Sequence, residues 1–190
     1  MTTIDSVLEF WFGADPSAIT DDTRKRWFMK DPAFDEAIRE QFGAAWEQAV
    51  AGELSDWEQS PRGALAVLIL LDQFSRNLWR GDPRTWAQDE QARGVMRRAL
   101  ERGFDRQLGF DERSFLYMPL MHSEVLADQE ECVTRFEQLR DEGGQDVVKW
   151  AVAHRDIVAR FGRFPHRNEV LGRRSTPEEE SFLQEPGSSF

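Results

Sequence analysis

The run Ala64-Leu65-Ala66-Val67-Leu68-Ile69-Leu70-Leu71 is the feature that most restricts the fold of this chain. All of its residues are apolar, so a helix through it has no polar face for water and must lie in the middle of a core. Ser60-Pro61 supplies a helix start before the run, and Gly81-Asp82-Pro83 supplies a stop after it. The run is far shorter than the roughly 18 apolar residues of a membrane-spanning helix, so we expect no membrane contact.

Signals that start and stop helices recur along the chain, whereas the alternation typical of a β-strand is nearly absent. Two helix starts are especially clear, Asp31-Pro32 and the capping box of Thr176-Pro177 with Glu179. Further helices are expected over Thr85–Arg102, from Asp111 toward Arg140 with a kink or break at Pro119, and, after Gly143-Gly144, over Val147–Phe161.

This pattern predicts an all-α protein of about seven or eight helices, joined by short loops as antiparallel helical hairpins. We expect residues 1–185 to form a single domain and residues 186–190 to form a loose tail.

Composition limits the classes of partner and the compartment. The chain has 190 residues, enough to bury one core. Its formal net charge of -11 disfavours nucleic-acid binding, which needs many Lys and Arg side chains against phosphates. Cys132 has no second cysteine to pair with, which is typical of a reducing compartment. The N-terminus lacks a basic segment before its apolar residues, so we expect no signal peptide and a cytoplasmic location.

A first polar segment directly continues the apolar helix and contains Asp72, Arg76, Asn77 and Arg80. Asp72, Arg76 and Arg80 follow at spacings of four, which places them on one helical face with Asp nearer the N-terminus. An unpaired buried carboxylate is costly, so we predict that Asp72 and Arg76 are largely buried and paired. Such a pair suits a functional site, and it equally suits an internal salt bridge that fixes helix packing.

Two more polar segments lie further along the chain. His122 and Glu124 follow Pro119 among Met and Leu residues. The third segment begins at His154-Arg155-Asp156, continues from Arg160 and ends at Gly172-Arg173. Gly162 and Pro165 end a helix within it, so its arginines and histidine are expected on a shaped loop. Arginine binds carboxylate or phosphate through paired hydrogen bonds, so this loop can hold an anion. The structural alternative is that its arginines pair with the plentiful Asp and Glu residues.

The motifs of several well-known kinds of catalytic site are absent from this sequence. It contains no Gly-x-Ser-x-Gly elbow, P-loop, dinucleotide fingerprint or His-Glu-x-x-His motif. His122-Ser123-Glu124 resembles half of a zinc-deaminase signature, but the Cys-x-x-Cys pair is missing. No two histidines stand four apart, so a metal site is the weaker reading and we predict neither a metal nor a cofactor.

Four motifs carry a resemblance to a known family: Phe10-Trp11-Phe12-Gly13, Leu71 to Asn77, Met118 to Glu124, and Phe161 to Asn168. Together they resemble the bacterial domain of unknown function 924 family, from Val7 to Phe182. The resemblance implies a tetratricopeptide-like, all-helical fold and brings no established activity. The chain departs from the family's usual pattern at Ser75, commonly Pro, and at Met121, commonly Glu.

Two hypotheses of function follow. The first is a pocket that binds, and can hydrolyse, a small carboxylate or phosphate ester. Its candidate catalytic residues are His122, Glu124, His166 and Asp72. Its candidate ligand-binding residues are Arg76, Asn77, Arg80, Arg163, Arg167, Asn168 and Arg173. The second hypothesis is a tetratricopeptide-like helical scaffold that binds a peptide or protein. Convergence of the polar segments on one cavity would favour the first.

Overall fold

The computed structural model describes residues 1–15, 18–143 and 147–189. Within these ranges all regular elements are helical, so the all-α prediction is confirmed. The α-helices are α1 Ile4–Phe12, α2 Asp21–Phe28, α3 Pro32–Val50, α4 Pro61–Leu68, α5 Ser75–Leu78, α6 Asp89–Glu101, α7 Phe110–Met121, α8 Leu126–Asp141, α9 Val148–Phe161 and α10 Pro177–Phe182. None of the helices in the described ranges has the length and apolar content needed to cross a bilayer.

The chain divides into two compact units. Met1–Arg80 with Arg84–Pro119 forms one, which we call the N-terminal unit. Gly81–Pro83 with Leu120–Phe190 forms the other, which we call the C-terminal unit. The expectations of a single domain over residues 1–185 and of a tetratricopeptide-like arrangement stay predictions.

The central helix of the N-terminal unit contains the fully apolar run, and residues 64–71 are all buried as predicted. α4 leads into a π-helical segment, Ile69–Phe74, and then into α5, with right-handed helical backbone at the junctions. Gly63, near the start of α4, is required by close packing. A Cβ atom there would lie 2.0 Å from the carbonyl oxygen of Trp57. Only glycine lets this helix approach the 3₁₀ segment Ser55–Gln59 so closely.

Helix starts predicted from local signals are confirmed. Asp31 Oδ1 accepts hydrogen bonds from the backbone N–H of Ala33 and of Phe34, at 2.9 and 3.3 Å. The Ser60 hydroxyl accepts from the N–H of Gly63 at 3.1 Å. The capping box at Thr176 is complete, because Glu179 in turn accepts from the Thr176 N–H at 2.8 Å. Each cap satisfies N–H groups that the first turn leaves without helical partners.

Other helix boundaries differ from the prediction. α1 and α2 were not predicted, and α6 begins at Asp89 instead of Thr85. The break expected at Pro119 lies after Met121, and Pro119 is inside the last turn of α7. The reason is a side-chain cap from α8: Gln129 Nε2 lies 3.2, 2.7 and 2.6 Å from the carbonyl oxygens of Leu120, Met121 and Ser123, which share its two N–H groups. These bonds satisfy the carbonyl groups at the end of α7.

The C-terminal tail is described from residue 186 to residue 189. These residues form turns, and the Ser188 hydroxyl donates to the carbonyl oxygen of Leu183 at 3.2 Å. Phe190 and, in the predicted loop before α9, Gly144 lie outside the described residues.

Candidate functional site

The first polar segment forms a buried ionic network in the N-terminal unit. Arg76 Nη1 lies 3.1 Å from Asp72 Oδ1, and Asp72 has no exposed surface. Arg76 also donates two parallel hydrogen bonds to Asp89 at the start of α6, at 2.9 and 3.1 Å. Burial alone would lower the pKa of Arg76, but the charges of Asp72 and Asp89 outweigh burial and raise it. The prediction that Asp72 and Arg76 are largely buried and paired is confirmed.

Asp72 lies in the π-helical segment together with the buried Gln73. Gln73 Nε2 donates to Asp72 Oδ2 and lies 3.4 Å from the sulfur of Met118. π-Turns within α-helices are frequent at functional sites. Asp72 has no exposed surface, so no substrate can reach its carboxylate in this conformation.

Asn77 and Arg80 share a different partner, Asp35 in the first turn of α3. Asn77 Nδ2 donates to Asp35 Oδ1 at 2.7 Å. Arg80 donates from Nε and Nη2 to the two carboxylate oxygens, at 2.6 and 3.0 Å. The spacing of four placed Arg80 on the same face as Asp72, but its partner comes from another helix. Neither Asp35 nor Asp89 was predicted, because an acidic residue in a helix's first turn is an ordinary feature.

In the C-terminal unit, Glu124 is held by the loop that follows α9. Arg173 Nη1 and Nη2 donate to its two carboxylate oxygens at 2.7 and 2.9 Å, and the backbone N–H of Phe164 donates at 2.8 Å. Burial raises the pKa of Glu124, but the hydrogen bonds from Arg173 and from Phe164 outweigh it, so the net pKa is below the ordinary value. Glu124 is therefore an ionised carboxylate with several donors around it.

The second and third polar segments meet around the ring of Phe164. Its centroid lies 5.7 Å from the ring of His154 and 5.6 Å from that of His166. The guanidinium of Arg167 lies 4.6 Å from the same centroid, and its Nη2 donates to the carbonyl oxygen of His122 at 3.0 Å. All 3 histidines of the chain are thus in the C-terminal unit.

His154 is the most enclosed of the three, with 7% of its surface exposed. Its Nδ1 lies 2.7 Å from the carbonyl oxygen of Trp150. Burial lowers the pKa of His154 to about 3, and the charges of His122, His166 and Arg167 act in the same direction. His154 is therefore neutral at pH 7.

Arg163 and Asn168 converge on Glu179 of α10. Arg163 donates from Nε and Nη2 to the two oxygens of Glu179, at 2.7 and 2.8 Å. Asn168 Nδ2 lies 3.4 Å from the same carboxylate and donates to the Ser175 hydroxyl at 3.0 Å. The Arg163 hydrogen bonds are the main cause that lowers the pKa of Glu179 to about 2. Glu179 was predicted as a cap, and its ion pair with Arg163 was not predicted.

An open cleft of about 580 Å³ lies on the C-terminal unit, and we call it the C-terminal cleft. Two of the predicted site residues, His166 and Arg173, line it. The other lining residues are Pro165, Glu169, Ser175, Glu180, Leu183, Gln184, Ser188 and Ser189. Across residues 1–15, 18–143 and 147–189, no cluster of three His, Cys, Asp or Glu side chains is arranged to hold a metal ion.

Comparison with known proteins identifies a family and a structural relative. The profile of a family described as bacterial protein of unknown function (DUF924) matches residues 7–187. No curated protein matches the chain. A solved structure of a protein of unknown function from Agrobacterium tumefaciens is 38% identical, with a TM-score of 0.83. The similarity covers 95% of this chain and 96% of that chain, so the two proteins share the fold throughout.

Proposed function

This chain belongs to the DUF924 family of bacterial proteins, and we propose that it binds a small carboxylate or phosphate ester in the C-terminal cleft. One observation carries the proposal: Arg173 and His166, both chosen from the sequence as anion ligands or proton donors, line the same cleft. The cleft volume of about 580 Å³ is also within the roughly 300–1,000 Å³ of small-molecule sites.

Arg173 has donors left for a ligand. A guanidinium has five N–H groups. Nη1 uses one on Glu124, and Nη2 uses both of its own on Glu124 and on the carbonyl oxygen of Phe164. The second N–H of Nη1 and the Nε N–H remain, and Nε is buried without a partner. Because Arg173 lines the cleft, we expect the Nη1 N–H to serve an oxygen of the ligand. The paired bonds to Glu124 also fix the guanidinium in place, so that a ligand does not have to immobilise it.

The other candidate arginines do not line the cleft. Arg76 binds two carboxylates, Arg80 and Arg163 bind one carboxylate each through two nitrogens, and Arg167 donates to the His122 carbonyl oxygen. Of the candidate arginines, Arg173 alone is among the described residues that line the cleft. This position favours the C-terminal cleft over the loop as a whole.

His166 is the candidate proton donor for this site. Of the four candidate catalytic residues, it alone is among the described residues that line the cleft. Asp72 is enclosed in the N-terminal unit, and Glu124 accepts three hydrogen bonds. The ring of a histidine can donate an N–H to an anion, so His166 suits the recognition of a carboxylate or phosphate group.

The test is a thermal-shift titration with acetate and with inorganic phosphate at low salt. Ligand at a hundredfold excess over its dissociation constant should stabilise the fold by about 2.7 kcal/mol. Arg173→Gln and His166→Asn should each abolish the rise in melting temperature. Arg174→Gln is the matched control, because it removes the same charge from an exposed neighbour that does not line the cleft.

Two results would contradict the proposal. One is a rise that persists in both cleft variants. The other is a wild-type protein that responds to neither anion while a peptide library raises its melting temperature, which would support the helical scaffold instead.

A further inference from the structure

We infer that this chain forms a twofold dimer through the N-terminal unit, in which an apolar projection of each copy enters a cleft of the other. The projection consists of Phe28, the last residue of α2, and Met29, which follows it. We call these two residues the apolar knob. Their exposed fractions of 72% and 58% are the largest among the described hydrophobic side chains after the terminal Met1. Neighbouring large apolar side chains that face water are typical of a contact surface.

The backbone is fixed on both sides of the apolar knob. Trp27, directly before it, packs into the core, with its ring centroid 4.6 Å from that of Phe115. Its Nε1 donates to the carbonyl oxygen of Trp11 at 2.8 Å. Asp31, shortly after the knob, caps the start of α3. The knob is therefore held in place before a partner arrives, which lowers the entropic cost of binding.

An open cleft of about 620 Å³ lies on the same unit, and we call it the N-terminal cleft. Phe10 and Phe42 provide apolar surface in it, and their ring centroids are 5.0 Å apart. Ser6, Glu9 and Gln41 also line it. The apolar knob is not among its described lining residues, so the cleft can receive an apolar side chain from another molecule.

The apolar knob and the N-terminal cleft lie side by side. Arg26, two positions before Phe28, donates from Nη2 to the carbonyl oxygen of Phe10 at 3.3 Å. Its guanidinium lies 4.9 Å from the ring of Phe34, which stacks on the ring of Phe10 at 5.1 Å. A twofold interface uses the same patch on both copies, so the patch must be complementary to itself. A knob beside a cleft meets this condition, because the knob of each copy faces the cleft of the other.

The charges favour a second copy as the occupant of the cleft. With a net charge of -11, two copies repel each other over most of their surfaces. Lys30 directly follows the apolar knob and is exposed, whereas Glu9 lines the cleft. In the described part of the chain neither has an ion-pair partner. The twofold contact therefore brings a basic group of each copy to an acidic group of the other at the place where the apolar surfaces meet.

Sedimentation equilibrium of the full chain over a hundredfold range of concentration measures the dimer directly. The wild type should show a reversible equilibrium between monomer and dimer. Phe28→Ser should raise the dissociation constant at least tenfold. Trp150→Ser is the matched control, because it removes a half-exposed aromatic side chain from the C-terminal unit, and it should leave the dissociation constant unchanged.

An exchange of charges tests the cleft itself. Glu9→Lys and Lys30→Glu should each weaken the dimer at least tenfold, because each places like charges opposite each other. The double variant Glu9→Lys/Lys30→Glu should bring the dissociation constant back to within a few-fold of wild type. Glu47→Lys is the control for charge, since this exposed residue of α3 does not line the cleft, and it should not weaken the dimer.

Three results would overturn the inference. The first is a wild-type chain that stays monomeric at every concentration. The second is a dimer that Phe28→Ser and both charge variants leave unchanged, because it would use another face. The third is a monomer that binds vesicles of anionic lipid through Phe28, which would assign the apolar knob to a membrane surface.

Discussion

Replacement of Asp72 by Asn tests the buried ionic network of the N-terminal unit. The substitution keeps the side-chain volume and removes the charge. It leaves Arg76 with Asp89 as its remaining carboxylate partner, through two hydrogen bonds of 2.9 and 3.1 Å. It also changes the acceptor that Asp72 Oδ2 offers to Gln73.

The expected loss follows from burial. Removing one partner of a fully buried pair costs about 3–5 kcal/mol when the other charge is left uncompensated. Asp89 still compensates Arg76, which itself is 19% exposed at the side chain, so the lower end applies, about 3 kcal/mol. The double variant Asp72→Asn/Asp89→Asn should lose more free energy of unfolding than the two single variants together. The reason is that the second change leaves Arg76 without a carboxylate partner.

Urea denaturation followed by circular dichroism measures these free energies of unfolding. The matched control is Glu178→Gln, which breaks the ion pair with Arg160 in which the side chains are 63% and 46% exposed. Such a surface pair should contribute no more than about 1 kcal/mol. An Asp72→Asn protein within about 0.5 kcal/mol of wild type would refute the reasoning, since surface substitutions have effects of that size.

Two further predictions concern the C-terminal unit. Burial lowers the pKa of His154 to about 3, so below its ordinary value of 6.5 the unfolded chain binds a proton that the folded chain does not. The free energy of unfolding should therefore fall from about pH 6.5 toward pH 3, and the loss should reach about 2 kcal/mol at pH 5. Urea titrations at several pH values measure it, and in His154→Gln the free energy of unfolding should depend less on pH. Gln129→Leu removes the two N–H groups that the carbonyl oxygens of Leu120, Met121 and Ser123 share, and should cost about 1–3 kcal/mol. Urea denaturation measures this loss, and Gln138→Leu, at an exposed position, should change little.

Structural features that depend only on residues close together in the sequence could be predicted. Asp31, Ser60 and Thr176 act as caps because each bonds to backbone groups two or three residues away. The apolar run 64–71 was predicted to be buried because it has no polar face, and it is. The break into two helices expected at Pro119 is present, but it lies after Met121, where Gln129 of α8 caps the end of α7.

Partners that come from distant parts of the chain could not be predicted. Glu124 and Arg173 are 49 positions apart, and Asp35 and Arg80 are 45 positions apart. Nothing in the local pattern distinguishes these acids from others in a chain with 35 acidic residues. The sequence marked the arginines as candidate anion ligands and allowed for internal pairing, but the fold was needed to show which acidic residue each one binds and that Arg173 lines the cleft.

The most direct test of the proposed site is a titration of ¹⁵N-labelled protein with acetate at low salt, followed in two-dimensional ¹H–¹⁵N spectra. Binding in the C-terminal cleft predicts saturable shifts of the backbone amides of His166, Ser175 and Ser188, and no comparable shifts at Asp72 or Arg76. Shifts that do not saturate, or saturable shifts confined to the N-terminal unit, would contradict it.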